Sequence, residues 1–154
     1  MKVKIVAVGK IKESYYREAL AEYVKRTGRF SRTEVVETAE YPPSDAGEIP
    51  RSVKKEGEEL LKQASGYVIA LDKGGVQLDS RGFSALLGNL MVEGRSEVSF
   101  LIGGSDGLDE DVLRRADKVL SFGKVTYPHQ LMRVILAEQI YRAFTILNKM
   151  PYHK

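Results

Sequence analysis

The chain has 154 residues, of which 24 are Lys or Arg and 21 are Asp or Glu, so its formal net charge is +3 at pH 7 with both histidines neutral. It contains no Cys, which excludes iron–sulfur clusters, Cys-ligated zinc and thiol nucleophiles. A chain of this length can bury a core without disulfides, so we expect one domain over residues 1–154. The mildly basic pI of about 9.0 suggests a polyanionic partner.

Segments with strand periodicity alternate with segments with helical periodicity. This alternation favours an α/β domain with a mostly parallel sheet. In chain order, the first half of the pattern predicts a strand ending at Gly9, a helix capped by Ser14, a strand over Thr33–Thr38 and a helix over Ser52–Ala64. Next come a short strand over Tyr67–Leu71, which residues 72–75 (Asp-Lys-Gly-Gly) end, and a helix capped by Asp79 or Ser80. The last predicted elements are a strand over Val98–Ile102, a helix over Asp109–Ala116, a strand over Lys118–Leu120 and a helix over His129–Leu147.

The last predicted helix is apolar on nearly all sides. Such a helix must be buried on more than one side. Either the layers of the chain's own sheet or a second copy of the chain could supply the second covering surface. Glu138 and Arg142 are spaced for an intrahelical ion pair. Arg133 has no such partner in the sequence, so it is the better functional candidate.

A glycine turn follows the predicted strand over Val98–Ile102. Its residues 103–107, Gly-Gly-Ser-Asp-Gly, come at the carboxyl end of a strand, where α/β sheets bind ligands. The same residues match the nucleophile elbow of serine hydrolases, with Ser105 followed by Asp109 or Asp117 and then His129. Glycines that only make a tight turn explain the pattern too. A small serine hydrolase using Ser105 is therefore an alternative.

More specific motifs lie in the last third of the chain. They are the I-G-G-x-x-G turn at Ile102–Gly107, the T-x-P-H turn at Thr126–His129, the E-Q-x-Y-R-A segment at 138–143 and the final Tyr152-His153-Lys154. Together they resemble the ribosomal RNA large subunit methyltransferase H family of the SPOUT superfamily, over essentially the whole chain. At residues 122–124 the sequence Phe-Gly-Lys departs from the Leu-Ser-apolar pattern expected in that family.

The resemblance implies a Rossmann-like SPOUT fold whose carboxyl-terminal part forms a deep trefoil knot, and a homodimer. It also implies a cytoplasmic enzyme that uses S-adenosyl-L-methionine to methylate N3 of a pseudouridine in 23S ribosomal RNA, either as RNA or in the assembled ribosome. Neither a metal nor a membrane is expected. Transferred by position, the cofactor contacts fall on Leu71, Gly103, Phe122, Gly123, Lys124, Val125, Thr126 and Tyr127.

Methylation of a ring nitrogen requires two aligned reactants and removal of the N–H proton. We expect His129, His153 and Arg133 to be candidates for this work, while Tyr152 can stack on an exposed base. His129 could instead be a helix N-terminal cap or a packed turn residue after Pro128, and His153 could belong to a frayed tail. The basic residues are also consistent with an RNA-binding module that has no catalytic activity.

Overall fold

The computed structural model describes residues 1–154, and its centre is a sheet of five parallel strands. The strands run in the order β2-β1-β4-β3-β5, and every pairing between neighbours is parallel. The predicted α/β class is confirmed. The strands are β1 (Lys2–Val8), β2 (Arg32–Thr38), β3 (Tyr67–Gln77), β4 (Glu97–Ile102) and β5 (Lys118–Ser121).

Helices cover both faces of this sheet. They are α1 (Ser14–Thr27), α2 (Ile49–Gln63), α3 (Ser80–Val92), α4 (Glu110–Arg115) and α5 (His129–Leu147), with a single 3-10 turn at Ala46–Glu48. Helices α1 and α3 both pack on α5, while α2 packs on α4. Neighbouring strand residues point to opposite faces, so Ile5 of β1 joins the core beneath α5 and Val6 joins the core beneath α2.

Helix α5 forms much of the larger core. Its residues Leu136 and Ile140 are fully buried, and Phe144 stacks on Phe30 with ring centroids 5.9 Å apart. Ser84 of α3 donates a hydrogen bond of 3.0 Å to the carbonyl of Ala143. These contacts fix α5 against the sheet along most of its length. The trefoil knot implied by the resemblance stays a prediction.

Strand β3 continues past its predicted end at Leu71. Both Leu71 and Val76 pair with Leu120, so residues 72–75 form a bulge. The prediction that the glycines end the strand is wrong, because the bulge accommodates them. A Cβ on Gly75 would lie 2.6 Å from the carbonyl carbon of Leu120, so this position has room only for glycine.

Two helix starts also differ from the prediction. The N-cap of α1 is Glu13, whose side chain makes no capping hydrogen bond, so Ser14 is the first helical residue rather than the cap. Helix α2 begins at Ile49, ahead of the predicted Ser52, since Pro50 is favourable in a first turn. Asp79 caps α3 as predicted. No helix is both long and apolar enough to cross a membrane.

We expect Gly75→Ala to lower the free energy of unfolding by about 1–3 kcal/mol, because the added Cβ forces β3 away from β5. Chemical denaturation of the wild-type and variant proteins measures this loss. Gly74→Ala is the matched control, since its Cβ would meet only the flexible Asp72 carboxylate at 3.1 Å. Equal stability of the two variants would contradict the proposed constraint at Gly75.

Candidate active site

A cleft of about 850 Å³ opens beside the bulge of β3 and at the carboxyl ends of β4 and β5. Parallel strands place these ends at one edge of the sheet, where α/β proteins bind ligands. Leu71 contributes from β3 just before its bulge, and Ile102 and Leu120 contribute from the ends of β4 and β5. The glycine turn and residues 121–123 and 125–130 form the walls. The cleft therefore joins segments that are far apart in the sequence.

Every predicted cofactor residue except one lines this cleft. Lys124 is exposed and lies outside the lining. The resemblance thus selected positions that the fold brings together, although cofactor contact itself is a prediction for each of them. The lining residues among them are Leu71, Gly103, Phe122, Gly123, Val125, Thr126 and Tyr127.

The glycine turn after β4 has a tightly packed backbone. A Cβ on Gly103 would lie 2.6 Å from the carbonyl oxygen of Gly107, so no larger residue fits without a shift. Gly107 has a φ of +85°, which favours glycine, and its N–H donates to the carbonyl of Gly104 at 3.1 Å. The glycines of the turn therefore present backbone to the cleft, beside Ser105 and Asp106.

The opposite wall contains the residues that depart from the family pattern. Phe122 packs edge-on against Phe83 of α3, with centroids 6.3 Å apart. Gly123 has a φ of +111°, and its N–H donates to Ser121 Oγ at 3.2 Å. Lys73 of the β3 bulge donates to Thr126 Oγ1 and ties the bulge to this wall. No sequence pattern predicts that contact.

His129 is the first residue of α5 and lines the cleft. Its Nδ1 is buried and has no hydrogen-bond partner, so the structure does not show a capping role for the ring. Burial, with a smaller contribution from Arg133, lowers the pKa of His129 below its ordinary value of 6.5. The cleft wall therefore carries a neutral imidazole near pH 7.

Arg133 lies one helical turn further along α5 and is 0% exposed. Its guanidinium donates to the carbonyls of Val8 at 2.6 Å and Gly9 at 2.9 Å, and it pairs with Glu37 at 3.1 Å. It does not line the cleft. This geometry favours a structural anchor over the catalytic role predicted for Arg133, and Glu37 on β2 is the partner that helical spacing could not reveal.

The final residues fold back on the last turns of α5. Tyr152 donates to Glu138 Oε1 at 3.0 Å, and His153 Nδ1 lies 3.0 Å from Arg142 Nη1. Burial and the hydrogen bond to Glu138 raise the pKa of Tyr152 to about 12. The predicted ion pair between Glu138 and Arg142 is present, and the tail is packed rather than frayed.

The catalytic candidates are not brought together within one chain. His129 stands at the first turn of α5, whereas Tyr152 and His153 pack on Glu138 and Arg142 in its second half. Glu138 and Arg142 follow His129 by nine and thirteen residues, which places them about 14 and 20 Å from it along the helix axis. The tail is therefore remote from the cleft of its own chain.

The hydrolase alternative is not supported. Asp109 Oδ2 accepts the N–H of Asp111 at the start of α4. Asp117 accepts the N–H of Val68 at 2.8 Å and pairs with Arg115. Neither carboxylate hydrogen-bonds His129, so the triad is not assembled.

Comparisons with known proteins show which family the chain resembles in sequence and in fold. Residues 1–153 match the family described as predicted SPOUT methyltransferase. The chain is 50% identical to proteins named ribosomal RNA large subunit methyltransferase H from Ruminiclostridium cellulolyticum and Carboxydothermus hydrogenoformans, with 100% of each chain covered. A solved structure of a probable methyltransferase from Bordetella pertussis matches with a TM-score of 0.57 and 14% identity, over 92% of this chain and 95% of its own. That likeness supports the fold.

The environment of His129 predicts a pH dependence of stability. Because its folded pKa lies below 6.5, the unfolded chain binds the proton first as the pH falls, and the free energy of unfolding decreases. One proton contributes at most about 1.4 kcal/mol per pH unit. Denaturant titrations from about pH 7 to pH 5 should show a shallower decrease in His129→Gln than in wild type. An equal slope would show that His129 is not buried as a neutral ring.

Proposed function

The chain belongs to the SPOUT methyltransferase family, and from this premise we propose that it transfers a methyl group from S-adenosyl-L-methionine to N3 of a pseudouridine in 23S ribosomal RNA. The observation that carries the proposal is the cleft, which unites the residues predicted to contact the cofactor. The names of the relatives at 50% identity support the RNA of the large ribosomal subunit as the acceptor.

The cleft residues fit this cofactor. S-adenosyl-L-methionine carries no phosphate, so its site needs no phosphate-binding lysine, and carbonyl oxygens and aromatic faces suit its sulfonium better than cations do. Leu71, Ile102 and Phe122 offer apolar surface for adenine, and the turn at Gly103 offers backbone where a Cβ would not fit. When bound, the cofactor supplies a reactive methyl group on a positively charged sulfur.

His129 is the best placed group in the cleft to accept the N3 proton. It is neutral near pH 7, and its enclosed Nδ1 leaves Nε2 as the ring atom able to exchange a proton. The remaining contribution of the chain is alignment, which can lower a barrier by about 7–11 kcal/mol when both reactants are held in line. Arg133 supports alignment indirectly, since it fixes the turn of α5 next to His129.

We propose that the enzyme acts as a homodimer in which the tail of each chain completes the cleft of the other. Leu131 and Ile135 lie one turn apart on α5, are partly exposed and do not pack against either core. Val125 at the cleft wall is 62% exposed. A second copy covering this surface would bury apolar side chains and bring a tail to the cleft. The knotted threading of the carboxyl-terminal segment belongs to the same proposal.

Ribosomal RNA, as RNA or in the assembled ribosome of the cytoplasm, is the proposed partner. Several basic residues before, within and after α1 fit a polyanion. They are Lys10, Lys12, Lys25, Arg26, Arg29 and Arg32. A net charge of only +3 suggests a local contact patch rather than a uniformly basic surface.

Calorimetry tests the cofactor site. We expect binding of S-adenosyl-L-methionine and of its demethylated product without added metal. Gly103→Ala should weaken binding of both ligands, because its Cβ displaces the turn at Gly107. Gly104→Ala is the control, since its Cβ would make ordinary contacts at 3.4 Å. Absence of heat with both ligands in the wild-type protein would contradict the cofactor assignment.

Transfer from methyl-labelled cofactor to ribosomes or 23S RNA tests the acceptor. We expect label at the pseudouridine and none when a transcript carries uridine at that position, because the target is the modified base. Mass spectrometry of the digested RNA locates the added methyl group. Equal labelling of the uridine transcript would refute the base assignment, and RNA binding without any labelling would favour the non-catalytic RNA-binding module.

A further inference from the structure

Arg142 is the centre of the contacts that hold the tail. Its Nε donates to Glu138 Oε1 at 2.9 Å, and its guanidinium carbon lies 4.8 Å from the centroid of the Tyr152 ring. Its Nη1 lies 3.0 Å from His153 Nδ1. Tyr152 completes the group by donating to the same Glu138 oxygen. A single guanidinium therefore positions both aromatic residues of the tail.

The contact between Arg142 and His153 determines where the imidazole carries its hydrogen. A guanidinium has five N–H donors and no acceptor, so Nη1 must donate and Nδ1 must accept. A neutral imidazole whose Nδ1 accepts a hydrogen bond carries its hydrogen on Nε2. The outer nitrogen of His153 is then a hydrogen-bond donor and has no lone pair available for a proton.

We propose that His153 is a hydrogen-bond donor to a carbonyl oxygen of the acceptor base, and that Arg142 is the positioning residue that holds it in the Nε2–H tautomer. The proposal rests on the proposed function, in which the tail reaches the cleft of a second chain. The proposal gives the two histidines of the chain different roles. His129 accepts the proton, and His153 binds the base.

A donor at this place assists the reaction electronically. The N3–H bond breaks and its proton passes to His129, which leaves negative charge shared between N3 and the neighbouring carbonyl oxygens. The N3 electron pair forms the bond to the methyl carbon, while the carbon–sulfur bond breaks and its electron pair stays on sulfur. A fixed N–H donor on a carbonyl oxygen stabilises the charge that develops before transfer.

Nitrogen NMR of the full-length protein labelled with ¹⁵N-histidine tests the tautomer without any substrate. The chain has only two histidines, so a His153→Gln variant assigns the spectrum. We expect His153 in the Nε2–H form, and a mixture of tautomers in Arg142→Met. Arg114→Met is the control, because it also removes an arginine from an ion pair with an acidic helix neighbour but lies on α4. An Nδ1–H form in the wild-type protein would overturn the proposal.

Steady-state methyl transfer to ribosomes tests the role. Loss of one donor to a developing anion lowers kcat by about 10²–10³-fold, which is the effect expected for His153→Phe. His153→Gln should retain more activity than His153→Asn, because only the Gln amide nitrogen reaches the position of Nε2. Arg142→Met should lower kcat while leaving the KM for the cofactor unchanged. Equal loss in the Gln and Asn variants would overturn the donor role.

The pH profile separates a donor from a proton acceptor. The groups that face His153 and its neighbour Tyr152 are Glu138 and Arg142 of α5 and Tyr23 of α1. If His153 is a donor, the decrease of kcat/KM at acidic pH persists in His153→Gln. Its disappearance in that variant would identify His153 as the acceptor and overturn the proposal. A wild-type protein that methylates no RNA while its His153 shows the Nε2–H form would refute the proposed function alone.

Discussion

The buried guanidinium of Arg133 joins the two parts of the fold on which the active site depends. Its two terminal nitrogens bond the carbonyls of Val8 and Gly9 and the carboxylate of Glu37, which offsets the cost of burying the charge, while its buried Nε has no partner. His129 begins the same helix at the cleft. This contact in the core therefore holds the first turns of α5, and with them His129, against the end of β1.

Features that depend on residues close together in the sequence were predicted, and features that depend on contacts between distant segments were not. Periodicity predicted α5 with its bounds, and the resemblance selected cleft residues such as Leu71 and Gly103 from segments far apart in the sequence. Spacing could not reveal that Glu37 pairs with Arg133, because the two meet only when β2 and α5 approach the end of β1. The bulge in β3 was not predicted for a similar reason. Gly75 must be glycine because the backbone of β5 lies against it, and this contact cannot be seen in the residues around Gly75.

The predicted catalytic residues divide into two groups that one chain keeps apart. His129 lies at the cleft, while Tyr152 and His153 pack on Glu138 in the middle of α5 and on Arg142 one turn later. Helices α1 and α3 pack on α5, and no residue of the tail lines the cleft of its own chain. A shared site between two copies reconciles the remote tail with the partly exposed apolar residues Leu131 and Ile135.

Activity of mixed dimers measures this shared site most directly. One chain lacks residues 152–154 and keeps its cleft, and the other carries Gly103→Ala and keeps its tail. At cofactor concentrations too low to occupy the Gly103→Ala cleft, each variant alone should be inactive on ribosomes. Co-expressed chains purified as the mixed dimer should recover methyl transfer at the one complete site. Mixed dimers of confirmed mass that remain inactive would contradict the account, as would full activity of the tail-deleted chain by itself.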